Sequence, residues 1–259
     1  MYVAKKRFSE RCKHISYIAI AVLVACFAVT PASATTVELV TNGGFESGGF
    51  AGWTVTDQAG GSGSWFQTSA PAGPLSGLPT VGPHTGSFYA LTDQTGPGAH
   101  SLTQAITVGA GQSSVIFSFD MFIDDYGGGP IVDPSGLDYT SGGTFAPNQF
   151  ATVDLLAAGT SPLSTTTGVL SNFFLGATPT TGAGNPYIHY AFDITSLVAG
   201  GGAFDLRFAE VDNSGFFLMG IDNVSVLATS GAPIPEPATL SLLGLGLVGL
   251  AARARRRTA

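Results

Sequence analysis

The alternation of apolar and polar positions divides this 259-residue chain into three parts. A largely apolar run covers residues 15–29, and a second, rich in Leu and Gly, covers 238–252. Between them the dominant period is two. Val115, Phe117, Phe119 and Met121 alternate with Ile116, Ser118, Asp120 and Phe122, which gives a strand one strongly apolar face. Similar short runs occupy 37–41, 52–56, 64–68, 87–92, 101–108, 149–156, 187–193, 203–211 and 216–227. Turn-rich stretches such as Gly60-Gly61-Ser62-Gly63 and Gly127-Gly128-Gly129-Pro130 separate them. Outside the two ends, helical periodicity never lasts beyond a turn or two. About ten short strands predict an all-β fold, a two-sheet antiparallel jelly-roll sandwich. It is flanked by an N-terminal signal helix and a C-terminal hydrophobic helix. Residues 70–85 and 126–148 are predicted as loops at the sandwich rims. No repeat of fixed period points to a solenoid or propeller.

Charge changes this picture more than composition does. Only 10 % of residues are charged, and 18 Phe argue for a real core despite 36 Gly and 15 Pro. The net charge of −7 averages unlike pieces. Lys5, Lys6, Arg7, Arg11 and Lys13 precede the first apolar run, and Arg253, Arg255, Arg256 and Arg257 close the chain. Between residues 35 and 232 a single base, Arg207, faces 15 acidic residues, a formal charge of −14. Nucleic acid is excluded as a partner. The carboxylates must be solvated or neutralised by cations.

Both ends read as addresses. A basic segment, the apolar run 15–29 and Ala32-Ser33-Ala34 form a signal peptide over residues 1–34, cleaved by signal peptidase before Thr35. The run is shorter than the roughly 20 residues a membrane span needs. Cys12 and Cys26 both lie in this segment, so the exported domain has no disulfide, thiolate metal site or cysteine nucleophile. At the other end, Pro233-Ile234-Pro235-Glu236-Pro237 is a rigid, extended entry to the Gly/Leu-rich run. The Arg cluster behind it is a cytoplasmic stop by the positive-inside rule.

The order Pro235-Glu236-Pro237, short transmembrane helix, Arg253/Arg255/Arg256/Arg257 resembles a PEP-CTERM sorting tail, here residues 233–259. That resemblance implies a Gram-negative bacterium that makes exopolysaccharide, and processing by an exosortase near Pro235-Glu236-Pro237. The protein would be held in the inner membrane only transiently, through the tail. Its destination would be the cell envelope, outer surface or extracellular matrix.

A second resemblance lies in the domain between, residues 35–232. Leu39-Val40-Thr41-Asn42-Gly43-Gly44-Phe45-Glu46, followed by Gly52-Trp53, resembles the opening of galactose-binding-like jelly rolls, which include several carbohydrate-binding modules. Met219-Gly220-Ile221-Asp222-Asn223-Val224-Ser225-Val226 is similar to their last strand. In that family the first and last strands lie together, often beside a structural calcium. The resemblance implies carboxylate ligands from Glu46 and Asp222 and a carbonyl from Gly44, with Asp93 as a further ligand. Calcium takes six to eight oxygens, so the donor types suit it. The alternative is that Glu46 caps the Asn42-Gly43-Gly44 turn and Asp222 binds backbone amides.

The remaining chemistry is sparse. Asp124-Asp125, Asp133 and Asp138 form an acidic segment that reads as a solvated loop, or else as an accessory calcium site. Trp53, Trp65, Phe66, Tyr89, Tyr126 and Tyr139 include candidates for stacking on sugars, with Tyr126 and Tyr139 in the more open loop. His84, His100 and His189 are far apart and form no ligand pair by spacing, and no nucleophile elbow is present. The reading is a non-catalytic surface or matrix protein that binds exopolysaccharide or cell-surface glycan. The alternative is an extracellular glycan-active hydrolase or lyase, for which 15 acids could supply a carboxylate pair.

Overall fold

The two-residue alternation is realised as strands in the computed structural model, which describes residues 33–127, 136–140, 147–176, 182, 184–231, 244, 246, 249 and 253. The strands are β1 (Thr36–Glu38), β2 (Thr54–Asp57), β3 (Ser64–Thr68), β4 (Tyr89–Asp93), β5 (Gly98–Val108) and β6 (Gln112–Asp125). They continue with β7 (Gln149–Ala157), β8 (Val169–Gly176), β9 (Ile188–Asp193), β10 (Gly202–Asp212) and β11 (Phe217–Ser230). One sheet has the order β3-β4-β11-β6-β9, with β1 also paired to β11. The other runs β2-β5-β10-β7-β8. Every pairing is antiparallel. The chain changes sheet at most connections from β4 onward, as a jelly-roll sandwich requires.

Alternation fixes which side chains meet. Phe117, Phe119, Met121 and Ile123 of β6 face inward beside Met219, Ile221 and Val226 of β11. Opposite them stand Leu102 and Ile106 of β5 and Leu206 and Phe208 of β10. Phe208 packs edge-on to Phe117 and Phe119. Each such buried ring contributes roughly 1.5–3 kcal/mol through area removed from water.

The chain divides into two compact units, Thr36–Gly231 and the ends Met1–Thr35 with Ala232–Ala259. Within the sandwich unit Thr36 pairs with Thr229, so its two ends sit side by side at one pole. Gly244, Gly246, Gly249 and Arg253 are helical. Among the described residues no helix is long and apolar enough to cross a membrane. The signal segment through residue 32, Pro235-Glu236-Pro237, and Arg255, Arg256 and Arg257 lie outside the described residues.

Two expectations need correction. Strand β8 has no counterpart among the sequence-predicted runs. Its pairing with β7 shifts register twice, and such irregularities destroy strict alternation. The segment 70–85 is not a rim loop. It lies over the outer face of the first sheet, where Leu78 packs against Tyr89, Leu91, Phe122 and Leu218. Similarly, Leu137 covers Ala99, Phe150, Ala209 and Val211, apolar residues in the second sheet and its edge cluster.

Candidate functional site

The opening and closing segments meet at one corner. The register of β6 and β11 shifts between Asp222 and Ser225, and Asn223 adopts φ +52°. The bulge frees the Val224 amide to donate to the Gly43 carbonyl at 2.9 Å. A Cβ on Gly43 would stand 1.8 Å from the Val224 carbonyl oxygen, so only glycine fits this approach. Gly44, Glu46 and Asp222 come together here. A Cβ on Gly44 would lie 3.8 Å from Asp222 Oδ1 and 3.9 Å from Glu46 Cγ.

Both carboxylates grip the segment 84–88. Asp222 Oδ2 accepts the amides of His84 (3.0 Å) and Thr85 (2.9 Å), and its Oδ1 accepts that of Asn223 (2.7 Å). Glu46 Oε1 accepts the amides of Ser87 and Phe88, both at 2.8 Å, which leaves Oε2 for another partner. Burial raises the Asp222 carboxyl above its ordinary range even though these amides pull it down. The arrangement therefore has unspent negative charge, oxygen donors only, and room where Gly44 lacks a side chain. Those properties fit a hard cation such as calcium. Glu46 does not cap the Asn42 turn; the Asn42 side chain does so itself, accepting the Ser47 amide at 3.1 Å. Asp93 is not part of this corner. Its Oδ2 accepts the Leu75 (2.5 Å) and Ser76 (2.9 Å) amides farther back in residues 70–88, which form a strap over the first sheet.

The acidic segment after β6 does not form a cluster. Asp124 points outward and accepts the Asn185 amide, whereas Asp125 points inward and accepts Gln149 Nε2. Asp138 accepts Gln58 and the Thr140 amide, and Asp133 lies outside the described residues. Among the described residues no group of three or more His, Cys, Asp and Glu is arranged to hold a metal ion. Of the aromatic candidates, Phe66, Tyr126 and Tyr139 are half-buried. Trp53, Trp65 and Tyr89 are buried. Tyr126 packs beside the Tyr89 cluster, while Tyr139 packs beside Phe150 and donates its hydroxyl to the Ala59 carbonyl.

The outer face of the second sheet carries a pocket of about 290 Å³ that sequence reasoning missed. Its floor is the single base of the domain. Arg207 is 1 % exposed. Its Nε and Nη2 donate to Asp154 Oδ2 at 2.9 and 2.6 Å, and Nη1 donates to the carbonyls of Pro162 (3.0 Å) and Ser164. Asp154 Oδ1 accepts Asn172 Nδ2 (2.8 Å), and its Oδ2 accepts the Thr152 hydroxyl (2.9 Å). Thr165 and Thr166 add hydroxyls to the lining, and Phe150, Val169 and Leu175 add apolar surface. The charges cancel inside a fixed frame. What faces the pocket is neutral: hydroxyls, an amide and hydrocarbon. A basic residue alternating with apolar ones on a central strand was the available signal.

A second pocket, about 220 Å³, opens at the pole opposite Thr36 and Thr229. It is lined by Gln94, Pro97, Asp212, Asn213 and Phe216, among others. Burial pushes the Asp212 carboxyl up to about 7 despite bonds from Gln94 Nε2 and the Gly98 amide. Behind it Glu210 is fully buried, and neither of its oxygens has a hydrogen-bond donor in place. The Glu210 carboxyl is raised well above its usual range by burial, and by the charges of Asp212 and Asp57. On the first sheet's outer face, His84 and His189, distant in sequence, both reach Asp120.

Comparison with known proteins identifies the tail. Residues 233–257 match the PEP-CTERM protein-sorting motif. The chain thus carries an exosortase sorting signal, which implies export in a Gram-negative bacterium. No curated protein matches in sequence. Solved structures similar to the chain include the carbohydrate-binding module TmCBM61 in complex with β-1,4-galactotriose. It is 14 % identical over 73 % of this chain and 97 % of that one, with a TM-score of 0.44. A family 11 carbohydrate-binding module from Clostridium thermocellum, in complex with a mixed-linked tetrasaccharide, is 10 % identical over 78 % and 100 %, TM-score 0.36. The enzymatically active domain of bacteriophage CBA120 tailspike protein 4 is 14 % identical over 73 % and 21 %, TM-score 0.43.

Proposed function

We propose that this is an exported, non-catalytic surface or matrix protein whose sandwich binds glycan in the Arg207 pocket. The observation that carries the reading is the neutral, hydroxyl-rich lining set over a buried Arg207–Asp154 frame. Saccharides offer hydroxyls that both donate and accept, and C–H faces that suit Leu175, Val169 and Phe150. Exopolysaccharide or cell-surface glycan is the ligand class that fits an exosortase-sorted protein. Weak single contacts suffice when many copies face one polymer. Calcium held by Glu46, Asp222 and the Gly44 carbonyl would fasten the sandwich's two end segments.

The test is co-sedimentation of the full-length chain with exopolysaccharide purified from its host. Thr166→Trp, at an exposed position on the pocket wall, should fill the cavity and reduce binding at least tenfold while leaving the melting temperature unchanged. Undiminished binding by that variant places the glycan elsewhere.

A second reading, a glycan-active hydrolase, draws on the raised Asp212 carboxyl at the pole pocket. A glycosidase pairs two carboxylates across its cleft, and Asp212 is the only acid lining this one among the described residues. Release of reducing ends from the same polysaccharide, abolished by Asp212→Asn, would establish that reading instead.

A further inference from the structure

We propose that the Arg207 pocket admits only uncharged sugar units, and that Asp154 is the specificity residue that turns away uronates and other acidic sugars. This rests on the reading of that pocket as the glycan site and names the class of glycan it holds.

Proteins that hold a carboxylate ordinarily meet it with an available guanidinium or ammonium group. Here none is at hand. Between residues 35 and 232 the chain has one base, Arg207, against 15 acids. Four of its five N–H groups are committed. Nε and Nη2 donate to Asp154 Oδ2 at 2.9 and 2.6 Å, and Nη1 donates to the carbonyls of Pro162 and Ser164. Both members of the ion pair are buried, and these bonds hold the guanidinium in place. The single remaining N–H does not replace a cation whose charge Asp154 already cancels.

Asp154 makes the site selective as well as neutral. It lines the pocket beside Arg207. Its Oδ2 takes both guanidinium donors and the Thr152 hydroxyl, and its Oδ1 takes Asn172 Nδ2. A second carboxylate entering here would share one cation that is already paired. Like charges so placed repel, and a buried charge without a partner is costly. Neighbouring acids raise the barrier. Asp205 stands two residues from Arg207 on β10, so alternation puts it on the same face of the sheet. Asp138 lies two residues beyond Gly136 of the pocket wall.

An uncharged sugar meets no such barrier. Thr165, Thr166 and Asn172 offer it hydroxyls and an amide, and Val169 and Leu175 offer hydrocarbon.

Three forms of the host exopolysaccharide test this with the full-length chain. One is made neutral by carboxyl reduction, one is that material oxidised at its primary alcohols to carboxylates, and one is the oxidised material reduced again. The pocket's share of binding is the part that Thr166→Trp removes, which sets aside adsorption to the basic ends of the chain. In co-sedimentation that share should fall at least tenfold on oxidation and return on the second reduction. The deficit should persist at about 1 M salt, where screening acts beyond about 3 Å but spares buried neighbours. Asp154→Asn keeps an accepting oxygen and drops the charge. Once shown to be folded by circular dichroism, it should hold the oxidised polymer several-fold more tightly than the wild type does. Oxidised polymer held as tightly as the neutral form, in a manner that Thr166→Trp abolishes, overturns the proposal but keeps the pocket as the glycan site. A deficit that salt removes, or one unchanged in folded Asp154→Asn, overturns the role of Asp154. If Thr166→Trp removes no binding from any form, the pocket is not the glycan site and the inference falls with it.

Discussion

Two regions of the same sandwich treat carboxylates in opposite ways. At the corner, Asp222 receives three backbone amides and Glu46 two. At the far pole, Glu210 receives none, and Asp212 one amide and one side-chain amide. Residue type does not explain this. Position does. Asp222 and Glu46 face a strap whose amides at 84–88 are outside any ladder and can turn toward them. Glu210 sits near the C-terminal end of β10 but is still paired on both sides, with β5 and β7, where the strands' amides are used by the ladders. A carboxyl in that setting is cheaper to bury with its proton than without it.

The largest consequence is a dependence of stability on pH. Burial raises Asp212 from 3.8 to about 7, and Glu210 well above its usual value. A carboxyl with a raised native pKa binds its proton more tightly in the folded than in the unfolded chain. Its stabilisation is complete below the unfolded value near 4 and is lost as pH rises through the native value. For Asp212 alone the loss is up to about 4 kcal/mol. Thermal melts from pH 4.5 to 8.5 should therefore show the domain less stable at the alkaline end, and Glu210→Gln with Asp212→Asn should flatten the profile. A melting temperature that rises over this interval contradicts the contrast between the two regions.

Removing the gripping carboxylate at the corner should cost somewhat less. Asp222→Ala leaves the amides of His84, Thr85 and Asn223 without an acceptor, and water reaches only part of that corner. The expected loss is about 3 kcal/mol. Denaturant midpoints measure it, and hydrogen exchange at amides 84 and 85 should accelerate with it. A loss equal to that of a surface substitution would mean that the strap is held elsewhere, by Tyr187 and Asp93.

What the residues revealed in advance follows the same physics. The corner was legible because its geometry makes local demands. Asn42, Phe45 and Asn223 all take positive φ, and Gly43 must admit a carbonyl, so the two segments carry Asn and Gly at fixed places. The strands of the core were legible through alternation. Strand β8 was hidden because bulges break its period and, as an edge strand, it buries little. The Asp120 histidine pair was hidden for another reason. Only the jelly-roll crossings bring β6, β9 and the strap together, and no spacing in one dimension records them. Tyr126 and Tyr139 misled because turn-rich sequence was equated with exposure, whereas both rings cover apolar faces of the sheets.

The smallest effect concerns Glu46, and it separates the two roles the corner can play. Glu46→Gln keeps an oxygen at Oε1 for the Ser87 and Phe88 amides but removes the charge that Oε2 would offer a cation. In EDTA the variant should lose under about 1 kcal/mol, because Glu46 is exposed and its amide bonds persist. With calcium present the wild type should gain stability by mass action and the variant much less, so the gap between them should widen. Melting curves of both proteins, with calcium and with EDTA, decide it. If the gap is the same in both conditions, the corner is a clamp of carboxylates on amides alone. The difference between the two regions is then one of backbone hydrogen bonding, with no part left for a metal.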